Sequence, residues 1–395
     1  MLDFSDLPVV DAHCHPYTRK DALSPDQWVD ALAFGGGSPA YLREGGIDVD
    51  AAALTMLGRL KRDTLYFRFM LRRLAEYFGV EATVEAIAAS RNRAIAHEGY
   101  AKYAQKLHQA GKIETLIVDD GYPLPQINLD TFRAETGVEV LPVFRIEVLI
   151  QDLLDDGCGW REFQRRYDES IAEALGNRGY RGLKSIIAYR TGLDIDPASR
   201  SPDQGRVALE RLRRARGRGG DDPVKSLRDH LFCRAIERCI DFDAPFQVHT
   251  GMGDWEVHLA ACRPALLMEL LRYPAYRACK FLLVHTGYPY HAEAGYLANV
   301  LPNIWCDISE GLPFAGNAGK RIIAEVLEMA PISRVCYGSD VYGSPEPFYT
   351  SALLGKQALG QALGELIDDG FMSVGEAQDA ARLILADNAR ELYRI

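Results

Sequence analysis

An α/β fold of the (β/α)8 type, a TIM barrel, is the class that this sequence of 395 residues predicts. Three observations predict it. Eight short apolar runs alternate with helical stretches, the pattern of parallel βα units. The runs are nearly continuous in apolar residues, as strands buried on both faces are. Several of them end on a residue that can bind a metal or move a proton, and in a barrel these C-terminal ends converge on one face. A doubly wound open sheet would share the first two features. The third favours the barrel.

LPVVDAH (7–13) reads as the first strand. Residues 18–112 are too long for one crossover, and 51–110 carry apolar spacing near 3.6, so 18–112 reads as a helical insertion between strands one and two that can cap the barrel mouth. TLIVDDG (115–121), VLPVFRIE (140–147) and GLKSIIAY (182–189) follow as strands two to four. APFQVHTG (244–251), KFLLVHTG (280–287), NIWCDIS (303–309) and RVCYGSD (334–340) complete the eight. Helices are expected near 160–176, 225–240, 351–369 and 375–393. The stretch 197–223 carries Arg206, Arg211, Arg213, Arg214, Arg216 and Arg218 and reads as a solvated surface helix and loop. The whole chain, 1–395, is expected to form one domain around the barrel.

Composition narrows the partners. Hydrophobic residues make up 48% and charged residues 25%, ordinary for a globular protein. A net charge of −10 argues against nucleic acid and anionic membranes, which want a basic face, and leaves a small-molecule substrate. No signal peptide and no run of 18 apolar residues is read. The eight cysteines are scattered without a CxxC pair, which fits free thiols in the cytoplasm.

The chemistry sits at the strand ends. Strand one ends in His13-Cys14-His15, strand five reaches His249, strand six His285 and strand eight Asp340; strand four carries Lys184. Residues two apart on a strand point the same way, so His13 and His15 can hold one borderline cation together. Cys14 then faces the opposite side and reads as packing. His97, His108, His230 and His258 fall in or near helical stretches and read as surface or packing residues. The run Gly35-Gly36-Gly37 sits in the long insertion, not in a strand–helix turn, so no dinucleotide fingerprint is read.

Taken in order, VDAHCH, GLKSIIAYR, FQVHTGMGD, LLVHTGYPYHAEAGYLA, NIWCDISE and VCYGSD resemble the amidohydrolase superfamily, in its amidohydrolase-related branch. The likeness is closest to the amidohydrolase domain that some proteins fuse to a glutamine synthetase domain. The resemblance implies that His13, His15, His249 and Asp340 bind a divalent metal: zinc first, with manganese or iron as alternatives, in one or two ions. It implies that His285 is a second-metal ligand or an acid/base residue, and that Lys184 matches a position where some members carry a carboxylated lysine. A homo-oligomer is a family-level expectation.

The expected reaction is hydrolysis of an amide, ester or lactone by metal-activated water. Asp340 acts as general base and then acid, and His285 stabilises the oxyanion. Arg145 and Glu147, two apart in FRIE, are expected to share a face, where Arg145 either holds a substrate carboxylate or joins Glu147 in a structural network at the barrel mouth. Tyr189, Arg190, Asp254 and Trp255 are further candidate substrate contacts. A non-oxidative decarboxylase with the same ligands is the alternative enzyme. A non-catalytic metal-binding barrel is the alternative outside catalysis.

Overall fold

The computed structural model describes residues 2–32, 37–214 and 222–395. Its strands are β1 (Val9–Cys14), β2 (Ile113–Asp119), β3 (Glu139–Arg145), β4 (Gly182–Ser185), β5 (Phe246–His249), β6 (Phe281–Val284), β7 (Ile304–Asp307) and β8 (Val335–Cys336). They form one sheet in sequence order, with seven parallel pairings. Parallel neighbours require long crossovers, and helices supply them. Backbone hydrogen bonds bring the two ends of the sheet together. Ala12 N–H donates to the Tyr337 carbonyl at 2.9 Å, and the Ser339 and Asp340 N–H groups donate to the His13 carbonyl at 3.2 and 2.8 Å. The fold is a (β/α)8 barrel.

Alternation along the strands sorts the core into two layers. Ile117, Leu141, Val143, Leu282, Val284, Trp305 and Cys336 cluster with Val10 and Ala12 inside the barrel. Ala386, Ala389, Leu392 and Tyr393 join that cluster and close its floor. The intervening residues, such as Leu116, Val118, Leu183 and Phe246, pack outward under the helices.

β1 breaks the alternation at a useful place. Asp11 to Cys14 spans three steps where its partner, Leu116 to Val118, spans two. Such a bulge bends the strand and re-aims side chains. Ala12 faces the interior, and so does His13 next to it; Cys14 packs outward, its Sγ 3.5 Å from the Ile117 carbonyl.

Six helices lie between β1 and β2: α1 (Pro25–Ala31), α2 (Pro39–Glu44), α3 (Ala51–Arg62), α4 (Leu65–Phe78), α5 (Val84–Glu98) and α6 (Tyr100–Gly111). Side-chain caps start five of them: Ser24, Asp50, Thr64 and Thr83 each accept from a backbone N–H three residues on, and Ser38 from one two residues on. α6 packs on β2 and on the helix Pro345–Asp368. At the other extreme α2 reaches the strand-end face, where the Tyr41 ring meets Trp255 at 5.8 Å.

The strands are shorter than the sequence predicts, and mostly at their C-terminal ends. His285 and Thr286 have φ of 71° and 52°, and Asp340 has φ of 56°. A left-handed backbone cannot continue a strand, so the ladders stop before these residues. In the arginine-rich stretch, the helix Pro202–Arg214 is bound by surface pairs, Arg206 with Asp203 and Glu210, and Arg214 with Glu210. Such exposed pairs contribute little stability. Arg216, Arg218, Gly35 and Gly36 lie outside the described residues. No described helix is long and apolar enough to cross a membrane.

Candidate metal centre

A pocket of about 200 Å³ opens at the C-terminal ends of the strands. His13, His15, Lys184, His249, His285 and Asp340 line it, as do Arg145, Tyr189, Arg190 and Asp254. Ten of the twelve residues singled out from the sequence therefore meet in one cavity.

The imidazoles are oriented from behind. His13 Nδ1 lies 2.8 Å from Gln247 Oε1. The Gln247 amide nitrogen donates to the Ala12 carbonyl at 2.9 Å and meets the Tyr393 hydroxyl at 2.6 Å. A carbonyl only accepts, so the amide is fixed with its oxygen toward His13, and His13 Nδ1 carries the proton. His15 Nδ1 donates in the same way to the Asp119 carbonyl at 3.0 Å. Both rings therefore turn an Nε2 lone pair to the pocket. Holding the remote nitrogen in this way fixes the tautomer of metal-binding histidines.

Those lone pairs face a carboxylate. Asp340 Oδ1 lies 3.1 Å from His13 Nε2 and 3.3 Å from His15 Nε2. Two acceptors opposite a third repel unless a cation sits among them. A proton is a poor choice, because burial and then the nearby Lys184 charge lower the His13 pKa to about 4. A divalent metal suits the spacing: ligand atoms around a tetrahedral ion with bonds of about 2.0 Å stand about 3.3 Å apart. Burial would raise Asp340, yet the surrounding imidazoles, His285 foremost, hold it well below the ordinary carboxylate range, so it is ionised.

His249 adds a second opening. It is buried, and its Nε2 has no hydrogen-bond partner. The His249 and His285 rings are 4.4 Å apart, and Glu310 closes a His249/His285/Glu310 group of ligating atoms. Asp119 lies near His13 and His15 but is already engaged: Arg145 Nε donates to it at 2.9 Å, and Gly121 N–H at 3.1 Å. Burial opposes its ionisation, but the charges of Arg145, His15 and Lys184 outweigh it and lower the Asp119 pKa. The donor set fits a divalent cation: His13, His285 and Asp340 bring ligand atoms together, as do His249, His285 and Glu310, and His15 Nε2 adjoins Asp340 at 3.3 Å.

Lys184 is the penultimate residue of β4 and points inward, its Nζ 3.1 Å from His13 Nε2. Burial lowers its pKa to about 8. The chain turns directly after β4 into a 3-10 turn at Ile187–Tyr189, so Lys184 stands near the strand end despite the longer apolar run in the sequence.

Two expected contacts fall elsewhere. Arg145 and Glu147 do not share a face, because β3 ends at Arg145 and a helix, Ile146–Asp155, begins at once. Glu147 turns outward to accept from Ser185 Oγ at 2.6 Å. Trp255 leans on Tyr41 and does not line the pocket. Arg145, committed to Asp119, is not a free cation for a substrate. His291 is buried away from the site against Glu325.

Sequence reasoning missed Tyr122, Glu256, Glu310 and Tyr342, which also line the pocket. Glu310 had a signal, three residues beyond the end of β7 in CDISEG. Positive φ marks the same ring of residues: His285, Thr286, Glu310 and Asp340 are four of seven such non-glycine residues among those described. Backbone strain of this kind gathers where a site must be held open.

Comparison with known proteins agrees with this fold. A protein of Lactobacillus casei ATCC 334, assigned as a metal-dependent hydrolase, superposes with a TM-score of 0.82 at 25% identity, covering 100% of this chain and 98% of that one. A uronate isomerase of Bacillus halodurans shares the fold, with a TM-score of 0.64 at 14% identity over 99% of this chain and 94% of its own. Protein fluG of Emericella nidulans is 31% identical over 252 residues, 60% of this chain. The matched part is 28% of that relative's length. The family model described as amidohydrolase matches residues 161–395, more than half of the sequence, and the chain belongs to the amidohydrolase family.

Proposed function

We propose that this protein is a metal-dependent hydrolase that cleaves an amide, ester or lactone bond of a small carboxylate-bearing substrate. The observation that supports it most is the pair of imidazole lone pairs, on His13 and His15, turned to Asp340 inside the pocket. A divalent cation bound there, zinc in this reading, supplies Lewis acidity and brings the ionisation of water toward neutral pH.

The protein's own groups divide the remaining work. Asp340 Oδ1 serves the metal-binding histidines; Oδ2 lies on the His285 side, 3.9 Å from His285 Nδ1. That second oxygen takes a proton from the nucleophile and returns it to the leaving group. Lys184, its pKa lowered by burial to about 8, aims its Nζ at His13 Nε2, 3.1 Å away.

The oxyanion role expected of His285 passes to another residue. Ser309 Oγ donates its one proton to Asp307 Oδ1 at 2.8 Å, so at 3.0 Å it accepts from His285 Nδ1. Neutral His285 then has no N–H left for an oxyanion. Tyr189 has one. Its hydroxyl accepts from the Asp254 N–H at 2.9 Å, which leaves its own proton free for a substrate oxygen. Arg190 lines the pocket without an ion-pair partner among the described residues, and takes the substrate carboxylate in place of Arg145.

A panel of N-acyl amino acids, lactones and aromatic carboxylates, incubated with zinc- or manganese-loaded protein, tests this reading by product analysis. Release of acid and amine, or opening of a lactone, is expected. In the Tyr189→Phe variant kcat should fall roughly 10²-fold or more, as when an oxyanion donor is lost. Release of CO2 from an aromatic carboxylate, with no hydrolysis of any substrate, would make it a decarboxylase instead.

A further inference from the structure

The loop after β5 brings two solvent-exposed acids to the mouth of the pocket. Asp254 and Glu256 both line the cavity, and among the described residues neither is paired with a lysine or arginine. Trp255 between them goes the other way, onto Tyr41 of α2.

The loop is fixed rather than draped. Gly251 N–H donates to the Cys262 carbonyl and Met252 N–H to the Tyr288 carbonyl, both at 2.7 Å. Gly251 has φ of 77°, and a Cβ there would sit 2.3 Å from the Gly287 backbone. A Cβ on Gly253 would sit 2.0 Å from the Tyr189 hydroxyl. Both positions need glycine so that the loop can lie flat on its neighbours. The Asp254 N–H is in turn tied to Tyr189. The same cavity holds Glu310, 3% exposed, whose Oε2 makes no hydrogen bond and lies 3.5 Å from His285 Nδ1.

Resting on the hydrolase reading, we infer that the substrate carries an ammonium group as well as a carboxylate, and that Asp254 and Glu256 recognise the ammonium while Arg190 holds the carboxylate. The substrate class is then a zwitterionic amino-acid derivative hydrolysed at its side chain. Carboxylates aligned on a rigid loop select a cation by attraction and disfavour an anion at the same place.

Two hydroxamates, which bind divalent metals, separate this inference from the reading beneath it. L-Glutamate γ-hydroxamate has the ammonium; glutarate monohydroxamate is the same chain without it. With zinc-loaded protein, calorimetry should show the first binding at least about tenfold more tightly. The Asp254→Asn/Glu256→Gln double variant should lose that preference while keeping its affinity for glutarate monohydroxamate. Equal affinity of the wild type for both compounds overturns the inference and leaves the metal centre standing. Failure of both to bind the loaded protein overturns the hydrolase reading with it. Retention of the full preference in the double variant also overturns the assignment to these two acids.

Discussion

Asp340→Asn abolishes practical turnover while the fold persists: in the metal-loaded enzyme, kcat is expected to fall by roughly 10²–10⁴-fold, the range for a lost general base. The substitution keeps shape and volume. It removes the charge that faces His13 and His15 and the oxygen that accepts the proton. The backbone at Asp340 is already left-handed, and asparagine tolerates that conformation, so the variant carries little added strain. Initial rates in the product assay, alongside metal content and circular dichroism, check it. Turnover within about tenfold of wild type, at equal metal content, would remove Asp340 from proton transfer.

Arg91→Met is the substitution expected to cost most stability. Arg91 and Glu346 have side chains that are fully buried and meet at 2.7 Å. Arg91 also donates to the Asp21 carbonyl at 2.7 Å and the Lys20 carbonyl at 2.5 Å. Tyr103 donates to Glu346 Oε1 at 2.9 Å, and Ser344 meets its other oxygen. One guanidinium thus joins α5 of the insertion, the segment leaving β1 and the first turn of the helix Pro345–Asp368. Methionine fills the space but leaves Glu346 buried without its cation, a loss of about 3–5 kcal/mol. Chemical denaturation should show it. The Arg91→Met/Glu346→Leu double variant should recover much of the loss, because the uncompensated charge is then gone. A single variant within about 1 kcal/mol of wild type would mean that the pair is relieved by water or rearrangement.

The same clamp bears on the site. Glu346 follows Asp340 by six residues and Lys20 follows His15 by five, so Arg91 ties together the two loops that carry the ligands. The insertion therefore supports the metal centre through a buried ion pair that apolar periodicity could not reveal.

What the sequence made legible was the position of His13, His15, His249, His285 and Asp340 after apolar runs, because strand ends of one polarity must meet on one barrel face. The bulge in β1 was hidden. Simple alternation from Val10 and Ala12 would have turned His13 outward, and only the mismatch with β2 brings it in. Gln247 was hidden too, although a polar residue inside the buried run FQVH, two before His249, marks an inward position. Glu147 was misplaced because a strand ends and a helix begins without an intervening loop, which apolar runs cannot register. Tyr122 and Tyr342 sit in loops without periodicity and come to the mouth by packing: Tyr122 against His15 at 5.5 Å and against Tyr342 at 5.5 Å.

The claim beneath all of this is that His13 and His15 bind a cation through Nε2 together with Asp340. Anomalous diffraction from crystals of zinc-loaded protein, collected on both sides of the zinc edge, tests it most directly. The account predicts a peak within about 2.0–2.2 Å of His13 Nε2, His15 Nε2 and an Asp340 oxygen. A map with no zinc peak in this pocket, from crystals held at millimolar zinc, would contradict it.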